Sequence, residues 1–366
     1  MTSEEYAAVA LSRVPAVGAK LYRKLIHHFG SAAAALEARP QDLLTVEGLA
    51  EKTVAHFADD RHYREADAVV RFAQRHPLEL LHFGAAGYPS ALAAFDGAAA
   101  VLYHYGKTDW DNPRQLAIVG TRKMSAQGAR QVERLLDPLR ELGVLIVSGL
   151  AYGVDIAAHR RALRTGLPTL AVIGSGFEHV YPHAHRHTAR QLAERGGGLL
   201  SEYPPWQKPE REHFPARNRI VAMLTAMTVV VESDRRGGSL ITANMARGYG
   251  KQVGACPGRP GDSSTAGCNE LIKTGRAHLI EEAEDIIRLL NWSGTAVRPQ
   301  LQLFEQLDAE ERAVVDCLSA RESISIDELH RQLLRPPAAL AGTLLMLEMK
   351  GVLAALPGHR YRLCMG

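Results

Sequence analysis

At 366 residues, with 46% apolar and 6% aromatic side chains, the chain is long and hydrophobic enough for a globular protein of two or three domains. Its net charge of +3 and pI near 8.6 are only mildly basic, which excludes a uniformly cationic nucleic-acid coat and leaves such binding to a local patch. No apolar run approaches the ~20 residues of a membrane span, the acidic start MTSEEYAAVALSRV is wrong for a signal peptide, and four scattered cysteines form neither a zinc knuckle nor a disulfide framework, so a reduced, cytoplasmic protein is expected.

Residues 1–75 are rich in Ala and helical in period. VPAVGAKLYRKLIHHFG and LTVEGLAEKTVAHFA each join an apolar residue, a glycine turn and a helix start, the pattern of a helix-hairpin-helix or SAM-like domain. Such a turn exposes backbone N–H groups that can take a DNA phosphate. Lys20, Arg23 and Lys24 follow the first turn, but Glu47 and Glu51 crowd the second, so protein contact is favoured over DNA contact.

Residues 76–292 alternate short β-branched runs with helical stretches, which predicts an α/β domain with a parallel sheet covered on both faces. The runs are LAIVG, VLIVSG, TLAVIGSG, GLLSEY, MTVVVES, QVGACPG and AHLI, with further strands expected between Leu78 and Gly106. Nearly all end in Gly or Ser, and ligands of open α/β sheets bind beyond the carboxyl ends of the strands. The first such end, GTRKMS, has neither the Walker spacing nor G-x-G-x-x-G; it offers Gly120, Thr121, Arg122 and Lys123 to phosphate oxygens. In SGLAYGVDIAAH, Ser148, Gly149 and Ala151 would let backbone approach a ligand, and Gly174 would do the same in the next turn. EREHFPARNRIVA sets Arg211, Arg217 and Arg219 around Phe214, guanidinium groups for phosphates beside a ring for a base. Phe214 precedes Pro215, which predicts an extended backbone there, and Asn218 would bond a base edge or position an arginine. Gly237, Gly238 and Ser239 open a helix at its dipole end, a further anion site. Together these loops read as a cleft for phosphates along a strand.

A polar stretch at 293–304 reads as a linker, and 305–366 has the order of a winged helix, three helices and a hairpin. Its third helix carries only Glu348 and Lys350 among ionised residues, so protein contact is again the better expectation.

Eight ordered segments, VGTRKMSAQG, SGLAYGVDIAAH, VIGSGFEHVYP, LLSEYP, FPARNRIVA, GGSLITANMA, ACPG and GCNELIKTG, resemble the DNA processing protein A (Smf) family. The resemblance spans roughly Tyr88 to Leu290, and more faintly the two flanking domains. It implies an extended Rossmann-like domain that binds single-stranded DNA in a basic cleft, dimerises, and loads the recombinase RecA during natural transformation. The chain departs from the family pattern at Gly237, where a Ser is usual, and in HAHRH after Tyr181-Pro182. His183 and His187 would share a helix face, but without a third ligand no metal is expected, and no cofactor motif is found. The rival class is a nucleotide N-glycoside hydrolase of the lysine decarboxylase-like type on the same fold. Its Pro-Gly-Gly-x-Gly-Thr loop and following acid are missing from RRGGSLITANMA, although Asp155 and Glu232 remain conceivable acids. A binding protein rather than an enzyme is therefore expected.

Overall fold

The computed structural model describes residues 2–292, 309–319, 324–333, 335–349, 353–356 and 360–363, which fold as two compact units, Met1–Gly294 and Thr295–Gly366. The linker stretch 293–304 and Lys350 lie outside the described residues.

The first unit is built on nine strands: β1 Glu79–His82, β2 Val101–Gly106, β3 Gln115–Val119, β4 Leu145–Ser148, β5 Thr169–Val172, β6 Gly198–Ser201, β7 Met227–Val230, β8 Gln252–Ala255 and β9 His278–Leu279. Their order is β1-β2-β6-β5-β4-β3-β7-β8-β9, parallel from β6 to β9, with β2 antiparallel to β6 and β1 antiparallel to β2. Every expected strand forms, and the Leu78–Gly106 stretch supplies the two antiparallel ones. β3 is buried along its length, as a strand covered on both faces must be. Leu116 and Ile118 join one apolar core, Ala117 and Val119 the opposite one. After β3 the chain steps outward through β4, β5 and β6, then returns by the helix His213–Leu224 to place β7 on the other side of β3. The sheet therefore reverses its winding between β3 and β7, where a crevice opens at the carboxyl ends.

The helices between Ser3 and Ala73 share a core with Leu80, Val101 and Tyr103 of β1 and β2. Arg23 is buried there, donating to the carbonyls of Ala93 and Leu92 and lying 4.0 Å over the Phe83 ring, and Lys24 pairs with Glu47 at 2.8 Å. Of the three cations after the first glycine turn, Arg23 is thus held in the interior and Lys24 is paired at the surface.

The second unit packs helices Ala309–Ser319, Ile326–Leu333 and Pro337–Met349 against an antiparallel sheet of β10 Ile324–Ser325, β12 Arg360–Leu363 and β11 Leu353–Leu356, which is a winged helix. Among the described residues no helix is long and apolar enough to cross a membrane.

Candidate nucleic-acid interface

The crevice at the winding reversal begins where β3 ends. Gly120 is needed there because a Cβ would lie 2.4 Å from the Val154 side chain, where the strand end meets the helix Val154–Thr165. The Thr121 N–H donates to the Glu232 carbonyl at 2.7 Å, the Val154 N–H to the Thr121 carbonyl at 3.1 Å, and the Lys123 N–H to Thr121 Oγ1 at 3.2 Å. Ser125 caps the helix Ala126–Leu136 by accepting from the Gly128 N–H, and its own N–H donates to Glu232 Oε2 at 2.9 Å. Glu232 is only 1% exposed, and a Cβ on Gly128 would sit 2.3 Å from that oxygen. The helix start where a nucleotide phosphate would rest is already occupied by the protein's own carboxylate. The turn therefore presents outward its exposed side chains, Arg122 and Lys123.

The second loop is closed in the same way. Ser148 is buried with its hydroxyl donating to the Ile118 carbonyl at 2.6 Å, and the N–H groups of Gly149 and Ala151 donate to Asp155 Oδ2 at 3.1 and 3.3 Å. Arg217, 4% exposed, donates to Gly149 O at 2.6 Å and to the Val172 carbonyl, and a Cβ on Gly149 would press on its guanidinium at 2.6 Å. Burial pulls Arg217 down to about 10 and Asp155 opposes this; burial likewise raises the Asp155 carboxyl against the Arg217 charge and its two N–H donors.

These contacts correct the roles expected of Ser148, Gly149, Ala151 and Arg217. They form a buried tie between β4, β5 and the helix His213–Leu224, because Arg217 lies on the helix face of Ile220, Val221 and Leu224. Asn218 positions an arginine, accepting from Arg217 Nε at 3.1 Å. Arg219 is paired rather than free: its Nη2 donates to both Glu202 oxygens at 2.8 and 2.9 Å. Burial raises Glu202, with Arg219 opposing.

Phe214 is the second residue of its helix rather than part of an extended segment. Pro215 fits that first turn because its missing N–H would have no acceptor within the helix. The half-buried Phe214 ring packs on Tyr181, with centroids 5.6 Å apart at 53°, and the Arg122 guanidinium lies 5.9 Å from its centre. Gly174 lets the turn after β5 pass beneath, since a Cβ would come within 3.3 Å of Phe214 and of the His213 carbonyl. Tyr181 is 45% exposed and stands beside Phe214 at this mouth, a position that sequence reasoning does not single out; an aromatic in the Tyr-Pro pair is the signal that could have found it.

In the fourth loop, Ser239 donates to Ser233 Oγ at 2.9 Å and is buried, while Gly238 opens onto free space. The helix Gly238–Gly248 starts with no side-chain cap and no acid in its first turn, and Arg235 and Arg236 are exposed beside it. His183 lies in a short turn and His187 in the helix Arg186–Glu194, so the shared helix face does not form. Among the described residues no group of three or more His, Cys, Asp or Glu is placed to hold a metal ion.

The DNA recombination-mediator protein A family model matches residues 79–291, flanked by matches to a DprA-like N-terminal HHH domain at 2–68 and a DprA winged helix domain at 298–359. Protein Smf of Synechocystis sp. is 34% identical over 284 residues, spanning 76% of this chain and 71% of that protein. The X-ray structure of DNA processing protein A from Streptococcus pneumoniae aligns with TM-score 0.67 at 30% identity, covering 79% of this chain and 98% of that one. DNA processing protein A from Helicobacter pylori, solved for its single-stranded DNA binding mode, aligns at 0.53 and 30%, covering 59% and 97%.

Proposed function

The chain belongs to the DNA recombination-mediator protein A family, and we propose that it binds single-stranded DNA at the carboxyl ends of its central strands. The observation that carries this is the pairing of two exposed cations, Arg122 and Lys123, with the rings of Phe214 and Tyr181 at one mouth. Cations hold phosphates, and aromatic faces take unpaired bases with little regard to sequence. A duplex hides its base faces, so the mouth favours single strands.

We infer further that the protein, once bound, passes the strand to the recombinase RecA in transformation or recombination, works as a homodimer in the cytoplasm, and catalyses no reaction. In favour of the last point, Asp155 and Glu232 are buried with an oxygen each engaged by backbone N–H groups of the neighbouring loops, so neither is presented to a substrate as the proton donor of an N-glycoside hydrolase. Residues 1–75 and 305–366 serve as flanking protein-contact domains around the strand-binding domain at 76–292.

The test is fluorescence anisotropy with labelled single- and double-stranded oligonucleotides, run beside a nucleotide hydrolysis assay and a measurement of RecA filament growth on pre-bound strands. Preferential single-strand binding, no hydrolysis and faster filament growth are expected. Equal affinity for duplex, or release of free base from a nucleotide, would overturn the reading.

A further inference from the structure

A groove of about 730 Å³ leaves the mouth and runs over one face of the sheet, between the helices Ala126–Leu136, Val154–Thr165 and Arg186–Glu194. Arg122 and Lys123 line its upper end, so it is continuous with the strand-end site. Further along it is lined by Arg160, Arg161, Arg164 and Arg195, against one lining carboxylate, Glu133. Glu133 is engaged by Arg161 at 2.9 Å and Arg164 at 3.4 Å, and Arg161 is also held by Asp137. Arg160 and Arg195 are exposed and have no carboxylate partner among the described residues. The floor between them is apolar, with Val132, Ile156 and Leu163.

We propose that this groove is a second segment of the strand path, in which a single strand gripped at Arg122 and Lys123 continues along the helix Val154–Thr165 with Arg160 and Arg195 on its phosphates. The proposal rests on the single-strand reading of the mouth. From Val154 to Arg164 the helix rises about 15 Å at 1.5 Å per residue, the length a stacked strand covers in about four nucleotides at 3.4 Å each. Unpaired cations above an apolar floor suit an unpaired strand, whose sugars and bases can lie on the floor while its phosphates face the walls. A rigid duplex has no flexible apolar side to lay there. An anionic membrane would meet the same cations, but it would not need a groove that starts at Arg122.

The decisive variant is Arg160→Ala/Arg195→Ala in the full chain, compared with the parent and with Arg122→Ala. Anisotropy with dT20 is recorded across a salt series, and thermal melts confirm the fold. The double variant should bind dT20 more weakly, and its slope of log K against log salt should shrink by about 1.4, two phosphates at about 0.7 each. Arg160→Lys/Arg195→Lys should restore most of that slope. An unchanged slope and affinity in the alanine variant, while the parent binds and Arg122→Ala does not, would overturn the groove and leave the mouth standing. A parent that fails to bind dT20 would instead overturn the single-strand reading, and the groove with it. Loss of binding to phosphatidylglycerol vesicles with dT20 binding intact would also overturn the proposal, assigning the groove to a lipid surface.

Discussion

Arg122 is exposed in a turn beyond β3 and touches the Phe214 ring but no apolar core, so Arg122→Ala should weaken single-strand binding while leaving Tm unchanged. Equal anisotropy titrations for parent and variant would remove the first loop from the interface. Phe214→Ala separates stacking from packing. The ring is half-buried and belongs to none of the apolar cores formed by the described residues. The substitution should therefore cost about 1 to 3 kcal/mol of strand affinity with the salt slope unaltered. A Phe214→Ala protein that is strongly destabilised but binds normally when folded would contradict this. Arg217→Ala should do the reverse of Arg122→Ala, losing about 3 to 5 kcal/mol of stability because Asp155 is left as an uncompensated buried charge. Urea unfolding reads this directly. Sequence alone does not separate the three arginine roles, for a physical reason. FPARNR displays Arg217 and Arg219 as free cations, while the groups that hold them, Gly149, Val172 and Glu202, lie at the ends of three other strands and meet them only when β4, β5 and β6 align. The usable warning is SEYP, an acid placed directly after a strand end.

The elements are far more legible than the site. β-branched runs closing in glycine identify strands because a strand covered on both faces must be continuously apolar and its end must turn sharply, conditions that local sequence records. What local sequence does not record is which helix starts are already filled. Glu232 lies just beyond β7 yet plugs the start of the helix after β3, a contact across more than a hundred residues. The helix Val154–Thr165 carries a second consequence of burial. His159 is fully buried, hydrogen-bonded to Thr169 Oγ1 at 2.8 Å, and burial pushes it down to about 3. Below pH ~6.5 the unfolded chain takes up a proton that the folded chain refuses, so stability is lost progressively as pH falls from about 6.5 toward about 3. At pH 5 this term should cost about 2 kcal/mol relative to pH 7.5. Urea unfolding at both pH values, on parent and His159→Gln, checks it: the variant should lose less stability on acidification. An identical loss in both would place the acid sensitivity elsewhere.

On the scale of the whole molecule, a net charge of +3 gives little long-range attraction for DNA, so binding must come from where the cations are left unpaired. The cations of the mouth and groove, Arg122, Lys123, Arg160 and Arg195, all fall within the compact unit Met1–Gly294. The winged helix has a core of its own, with Val314, Leu318, Leu329, Leu340, Leu344 and Leu347 packed together, and the cores of the first unit draw on none of these residues. Its third helix is apolar in composition and exposes Glu348, an acid that would repel a phosphate in the place where a DNA-reading helix carries cations or amides. Removing residues 295–366 should therefore leave the first unit folded, with its own melting transition and with dT20 affinity and salt slope close to those of the full chain. The comparison is made by anisotropy at several salt concentrations, because a lost phosphate contact changes the slope whereas a lost apolar contact does not. A folded truncation with a markedly shallower slope would show that cations of the second unit reach the strand. One with an unchanged slope but weaker binding would mean that the second unit supplies uncharged contacts to the strand or orders the mouth.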